Sequence, residues 1–284
     1  MKPSVAVCRI SKIQSQDEQF QSQFVDDLCA VEEPLEIRLG IGPENDRSQV
    51  SVAVTMRTPG HDFELALGFL FTEGVINNMA EILSIKYCVT DDTNNQFNIV
   101  RIELKPNVKV QLKNLERNFY TTSSCGICGK ASIDAIHINP EIMCTNLLQK
   151  VKASTIISLQ HTLRKQQNIF EYTGGLHACA LFTIAGNILL LREDIGRHNA
   201  LDKLIGAAMG GNTMPLNNTV LMLSGRASFE LLQKAAMAGI KIVCAVGAPS
   251  NLAIQTADKF NITLIGFLRD NRFNIYTHTT NVIA

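Results

Sequence analysis

The chain has 284 residues, a formal net charge of zero from 26 basic and 26 acidic side chains, and 46% hydrophobic against 18% charged residues. That size allows a large core in one or two domains, and that composition argues against disorder as the overall state. The charge balance argues against binding to bulk nucleic acid or to a membrane surface, which needs a basic excess or a basic face. No apolar stretch approaches the roughly 18–20 residues that span a bilayer. The longest, from Ala178 to Leu191, is broken by Thr183, Gly186 and Asn187. The N-terminus lacks the apolar centre of a secretory signal. Of eight cysteines only Cys125 and Cys128 are close together. Cys8, Cys29, Cys88, Cys144, Cys179 and Cys244 are scattered, and Cys88, Cys179 and Cys244 sit in apolar runs as core cysteines do. The pattern reads as a reduced, cytoplasmic protein.

Residues 1–28 are polar and glutamine-rich, which predicts a flexible, poorly ordered arm. Residues 29–118 then read as a small, mainly antiparallel α+β domain. Leu35–Leu39 and Val50–Met56 alternate with period two, as half-buried strands do. Asp62 is placed to cap a helix over Phe63–Thr72 that ends at Gly74. Strands near Leu83–Thr90 and Phe97–Leu104 flank the turn-rich 91–95 and predict a hairpin, with a further strand at Val108–Leu112.

Residues 119–284 read as an α/β/α domain opened by a CxxC loop. A helix near Ile156–Gln167 precedes strands at His177–Ile184 and Ile188–Leu191, and helical spacing follows at Leu201, Leu204, Ile205 and Ala208. Strands at Val220–Leu223, Ile240–Val246 and Ile262–Leu268 alternate with helices over Phe229–Ala238 and Asn251–Phe260. This order predicts parallel β-α-β units covered on both faces. The loops after such strands share one edge, where open α/β sheets bind ligands. Arg192, Arg197, Arg226, Arg269 and Arg272 all fall in these loops. Guanidinium groups and helix N-termini both favour phosphate, so an anion site is expected there. The plainer alternative is a solvated rim in which these arginines pair with Glu193, Asp194, Glu230 and Asp270.

The densest chemistry lies in Ser123-Ser124-Cys125-Gly126-Ile127-Cys128-Gly129-Lys130. Small residues leave both sulfurs open, and a nearby cation favours the reactive thiolate. Thioredoxin-like exchange expects the pair early in a βαβ unit, and the chain has no tryptophan for the usual run. Structural zinc wants four ligands; His137 and Cys144 could complete a set, without a knuckle spacing. Zinc deaminase chemistry needs H-x-E and P-C-x-x-C, and neither is present. Sulfur carriage needs an exposed, activated cysteine that can hold a persulfide, which this loop fits. The residues alone leave exchange, zinc and sulfur carriage open.

The 123–129 run strongly resembles the hallmark of the formate dehydrogenase accessory sulfurtransferase family. So do Gly174–Ala178, Arg192–Lys203, Ser224-Gly225-Arg226 and Gly247–Ser250, in order from about Glu33 to Thr277. The resemblance implies a cytidine-deaminase-like three-layer C-terminal domain without its zinc chemistry, and a homodimer. It implies a sulfur carrier that takes sulfur from a cysteine desulfurase. The sulfur passes to the bis(molybdopterin guanine dinucleotide) molybdenum cofactor before insertion into the formate dehydrogenase catalytic subunit. By position, Cys125 would bear the persulfide and Cys128 would assist as resolving or relay thiol. Phe267, Leu268, Arg269, Asp270, Asn271 and Arg272 match the cofactor-binding stretch. Asp270-Asn271 stands where relatives often have glycine, and both residues tolerate turns. Arg226, Arg197 and His198 would join that stretch at the sheet edge, and no structural metal is expected. The competing reading is a zinc-stabilised nucleotide-binding module without transfer activity.

Overall fold

The computed structural model describes residues 2–16, 18–88, 97–106, 108, 110 and 150–284. Cys125, Cys128, His137, Cys144 and most of the strand expected at Val108–Leu112 lie outside the described residues.

The expected poorly ordered arm is instead paired. β1 (Val5–Gln16) and β2 (Gln19–Ala30) form an antiparallel two-stranded ribbon in unbroken register from Val5↔Ala30 to Gln16↔Gln19. Val5, Val7 and Ile13 of β1 and Phe20, Phe24 and Leu28 of β2 are spaced by even numbers of residues and so share one face, and that pattern outweighs the glutamine content.

A four-stranded sheet follows in the order β4-β3-β6-β5. Here β3 is Glu33–Ile41, β4 Ser48–Arg57, β5 Ile82–Tyr87 and β6 Ile99–Leu104. β3 runs antiparallel to β4 and parallel to β6, and β5 and β6 form the expected antiparallel pair. α1 (Asp62–Thr72) covers this sheet with eight of its eleven residues buried, as a helix enclosed between layers must be. Its N-cap is His61, in a left-handed conformation, rather than Asp62. The Asp62 carboxylate turns inward to the buried Arg57, whose Nε and Nη2 donate to it at 3.0 and 2.9 Å. An ion pair out of water outcompetes a cap that solvent could replace.

The larger sheet has six strands in the order β13-β12-β11-β10-β8-β9. They are β8 (His177–Thr183), β9 (Ile188–Asp194), β10 (Thr219–Leu223), β11 (Ile242–Ala245), β12 (Thr263–Arg269) and β13 (Arg272–Ile275). β10, β11 and β12 are parallel, as their intervening helices require. β8, β9 and β13 are antiparallel to their neighbours, so the sheet is mixed rather than a run of parallel units. α2 (Ala153–Gln166) packs on one face through Ile156, Leu159 and Leu163, against Ala178, Phe182, Val220 and Met222. α3 (Asn168–Thr173) is a short turn before β8. The other face meets α4 (Arg197–Gly210), α5 (Phe229–Met237) and α6 (Asn251–Lys259) in a core that continues through α1 into the smaller sheet. A short parallel pair, β7 (Val151–Lys152) with β14 (Val282–Ile283), joins the end of the chain to the start of α2.

α1 and α4 touch backbone to backbone. A Cβ at Gly68 would overlap the Asp202 carbonyl oxygen, and one at Gly206 would overlap the Glu64 carbonyl oxygen. Only glycine permits that approach. Beside the crossing, buried Lys203 Nζ lies 2.7 Å from Asp194 Oδ2 and donates to the Thr58 carbonyl at 2.8 Å. Asn199 Nδ2 donates to the Met56 carbonyl at 2.7 Å and to Asp194 Oδ1 at 3.2 Å. The second carboxylate oxygen of Asp194 takes the Thr58 amide at 3.2 Å. A second buried group sets Lys234 Nζ 2.9 Å from both oxygens of Asp202 and from Thr72 Oγ1. Burial works against the Lys234 cation, but the Asp202 and Glu73 carboxylates overcome it and keep it charged.

Candidate functional site

The ends of β9, β10, β11 and β12 all reach one edge of the six-stranded sheet. Parallel pairing aligns the last three. β8 opposes β10 and β9 opposes β8, so the start of β8 and the end of β9 return to that edge. The loops interlock there. Ala227 and Pro249 form a parallel bridge, Gly247 N donates to the Gly225 carbonyl at 2.9 Å, and Phe267 N donates to the Gly247 carbonyl at 3.1 Å. A Cβ at Gly247 would sit 2.8–2.9 Å from the Arg226 Cγ, Cα and N, so glycine is what lets the two loops close.

This edge gathers the expected ligand residues. Arg226 follows β10 and is exposed. Phe267, Leu268 and Arg269 end β12, Asp270 and Asn271 make the turn, and Arg272 opens β13 opposite Arg269. The stretch is therefore a tight hairpin and not a strand-to-helix turn, so no helix N-terminus lies behind Arg269 or Arg272. Leu268 is buried beneath it, whereas Phe267 is 42% exposed at a positive φ of 52°. A bulky side chain held left-handed is strained backbone, of the kind that marks ligand-contacting segments. Arg269 Nη1 donates to the Val246 and Leu268 carbonyls at 2.7 and 2.9 Å, which ties the hairpin to the end of β11. His161 of α2 reaches the turn, with Nε2 3.4 Å from Asp270 Oδ1.

Arg197 and His198 open α4 beside His177, the first residue of β8. His198 Nε2 lies 3.0 Å from Glu230 Oε2 and 3.3 Å from Ser228 Oγ. Burial and the neighbouring Arg197 and His198 hold the His177 ring below its ordinary pKa, hence neutral at pH 7. Arg197 Nε is buried and has no hydrogen-bond partner among the described residues. The helix starts differ in capping. α4 and α5 begin at Gly196 and Ser228 without a side-chain cap, whereas Ser250 caps α6 through its hydroxyl. Two uncapped helix starts beside Arg197, His198 and Arg226 make this edge suited to an anion.

Arg192 does not join the group. It lies within β9 and is clamped by Glu64 of α1, with Nη2 2.8 Å from Oε1. Asp194 likewise faces inward, to Lys203. The remaining expected rim carboxylates divide. Glu193 accepts the Ile169 and Phe170 amides at 3.2 and 3.0 Å, and Glu230 pairs with His198. Neither Arg226 nor Arg272 has a carboxylate partner among the described residues, so the edge is more cationic than a self-neutralised rim.

Sequence reasoning missed the inward half of Arg192–Lys203. A signal was available: Asn199 and Lys203 are four residues apart and so share one face of the helix, with the apolar Ala200 and Leu204 beside them. Cys179 and Cys244 are buried with thiols pushed far up by burial, as core cysteines are, whereas Cys88 is half-buried. Among the described residues, no group of three or more His, Cys, Asp or Glu is arranged to hold a metal ion. No helix among them is long and apolar enough to cross a membrane.

Fold and edge together define a mixed α/β protein with a cationic, loop-built face at the strand ends. The sequence matches the FdhD/NarQ family over residues 30–283. It is 48% identical over 258 residues to a sulfur carrier protein FdhD of Mycolicibacterium paratuberculosis, covering 90% of this chain and 92% of that one. It is 43% identical over 261 residues to the protein of that name from Picrophilus torridus, covering 92% and 94%. In structure it resembles a protein described as a formate dehydrogenase accessory protein from Desulfotalea psychrophila. The TM-score is 0.70 at 21% identity, covering 99% of this chain and 100% of that chain. The chain belongs to the FdhD/NarQ family.

Proposed function

We propose that the chain is a sulfurtransferase of the carrier type that serves formate dehydrogenase. The supporting observation is family membership across 30–283, a span that contains both the thiol pair and the cationic edge. In this reading the Cys125 thiolate attacks the sulfane sulfur of a cysteine desulfurase persulfide. The desulfurase thiolate leaves, and Cys125 holds Cys–S–SH. Attack of the Cys128 thiolate on Cys125 Sγ then releases the outer sulfur as hydrosulfide and leaves a Cys125–Cys128 disulfide, which balances the two electrons. The acceptor is the bis(molybdopterin guanine dinucleotide) molybdenum cofactor, bound as substrate before it enters the formate dehydrogenase catalytic subunit. Its pyrophosphates suit Arg226, Arg197, His198, Arg269 and Arg272 with the uncapped starts of α4 and α5. Exposed Phe267 offers a flat apolar surface beside them. Helices on both faces of the six-stranded sheet support the cytidine-deaminase-like layering that the resemblance implies.

The test is an intact mass after incubation with a desulfurase and cysteine. A carrier gains about one sulfur atom, removable by reductant, and Cys125→Ala gains none while keeping its fold. Cys128→Ala accepts sulfur but releases it more slowly. Full transfer by Cys125→Ala overturns the assignment. Stoichiometric zinc with no sulfur uptake points instead to the metal-stabilised nucleotide-binding module.

A further inference from the structure

We propose that Cys8 and Cys29 are a modification site: the two thiols close to a reversible disulfide across the β1–β2 ribbon when a low-molecular-weight disulfide is present. Residues directly opposite each other in an antiparallel pair share a face. The register sets Ala6 against Cys29 and Cys8 against Asp27, so Cys8 and Cys29 are diagonal neighbours on one face. Diagonal neighbours are about 7–8 Å apart at the backbone, which is long for a disulfide. A two-stranded ribbon twists more strongly than a larger sheet, and the twist shortens one of its two diagonals. Here the thiols reach each other. Their side-chain hydrogen bond is the first cause that holds the Cys29 thiol above its ordinary pKa, with desolvation and the Cys8 and Asp27 charges adding to it. The ribbon is a two-stranded sheet, so no third strand resists the small adjustment that a sulfur–sulfur bond requires.

Both thiols are half-buried, unlike those of Cys179 and Cys244, so a small oxidant can reach them. Asp27 stands beside them, yet among the described residues no group of three or more His, Cys, Asp or Glu is arranged to hold a metal ion. The chemistry open to the pair is therefore redox chemistry. Because Cys29 holds its proton, Cys8 attacks first. The Cys8 thiolate displaces one thiolate from the low-molecular-weight disulfide and forms a mixed disulfide. Cys29 then gives up its proton and attacks Cys8 Sγ, which expels the second thiolate. Two electrons and two protons pass from the pair to the oxidant. The bond makes a closed loop of residues 9–28 at the end of the ribbon that joins β3. A two-stranded ribbon is marginally stable by itself in water, and closing the loop removes its opened states. Both cysteines precede residue 30, where the family match begins, and the inference does not rest on sulfur transfer.

Peptide mapping of the full chain after incubation with oxidised glutathione is the test. Trypsin cuts after Arg9, Lys12 and Arg38, so Cys8 and Cys29 fall in separate peptides. Cys125 and Cys128 share the peptide 118–130, so a disulfide between them joins no two peptides. The expected product is the Cys8 peptide bonded to the peptide 13–38, about 2 Da lighter than the two thiol peptides together and separated by reductant. Cys8→Ser and Cys29→Ser should each lose that product. Nonreducing electrophoresis should keep the mobility of a single chain. Cys8 and Cys29 peptides that stay unlinked in excess oxidant overturn the proposal. A link that appears only in chains of doubled mass overturns it, as does one from Cys29 to a different cysteine. These readings come from the wild-type chain, so they stand even if a serine variant misfolds.

Discussion

The stretch from Arg192 to Lys203 supplies two regions with opposite economies of charge. Inward, Asp194, Asn199 and Lys203 satisfy one another and the β4–α1 loop, at 0%, 9% and 1% exposure. Outward, Arg197 and His198 stand at an edge with Arg226 and Arg272, which have no carboxylate partner among the described residues. Buried charges must be paired where they form, because desolvation costs far more than an exposed pair returns. Exposed charges can wait for a ligand. The seam therefore holds the two sheets together, and the edge keeps its charge for something else. That difference predicts that seam variants lose stability and edge variants lose affinity.

Lys203→Met strikes the seam hardest. It leaves the Asp194 carboxylate buried without its cation, and an orphaned buried charge costs about 3–5 kcal/mol. Urea denaturation should show that loss, and Asp194→Asn combined with Lys203→Met should recover part of it. A single variant as stable as wild type would mean that water reaches Asp194 and that the seam resembles the edge. Next comes Gly206→Ala. The added methyl group overlaps the Glu64 carbonyl oxygen, so α1 and α4 must move apart. Overpacking costs about 1–3 kcal/mol, and backbone against backbone belongs at the upper end. A stability change below about 0.5 kcal/mol would show that the crossing is looser than its geometry.

The edge was legible in the sequence because it follows from order alone. Short strands alternating with ten-residue helices bring loops to one side, whatever packs beneath them. What the sequence concealed depends on pairing across long separations. Arg192 looks like its neighbours Arg197 and Arg226 until α1 brings Glu64 against it from 128 residues away. Asp62 reads as a helix cap locally, yet Arg57 has the stronger claim on it. β13 went unseen because Arg272–Ile275 is four residues long, too short to show a period. The ribbon is the reverse case: evenly spaced Val5, Val7, Ile13, Phe20, Phe24 and Leu28 mark one face of two strands, but polar residues between them and the glutamine-rich composition obscure it. The thiol pair was the most specific local signal, and it lies outside the described residues. The match of ordered blocks, now supported by family membership, places it within the span that the family model covers.

Edge variants sharpen the same comparison. Arg269→Ala with Arg272→Ala should leave the urea midpoint within about 0.5 kcal/mol, since both side chains are exposed. Titration calorimetry with guanosine diphosphate should show affinity falling about 10–30-fold, as for two exposed charge-assisted contacts. Arg226→Ala should cost about half that in free energy. Unchanged affinity in the double variant places the anion elsewhere. A large stability loss would mean that the contacts of Arg269 with Val246 and Leu268 hold the hairpin, and that the edge is partly seam.

Glu64 gives the smallest effect and joins the two regions, because it pairs with Arg192 from the seam side of β9. Burial works to raise its pKa, but hydrogen bonds from Arg192 and His61 overcome this and hold it at about 2. A carboxylate ordinarily titrates near about 4.3, so the folded state favours the ionised form. The sign follows: its contribution is fully present above about pH 4.3 and is lost as pH falls towards 2. Two units correspond to about 3 kcal/mol, but the group is only half-buried and solvent screens it, which leaves about 1 kcal/mol. Glu64→Gln should therefore be less stable than wild type by about 1 kcal/mol at pH 7, with the gap closing as pH falls from about 4.3 to about 2. Urea midpoints across that range decide it. A gap that stays constant with pH would show that Arg192 gains no more from the charged carboxylate than from an amide. It would then be as free as Arg226 to turn towards a ligand.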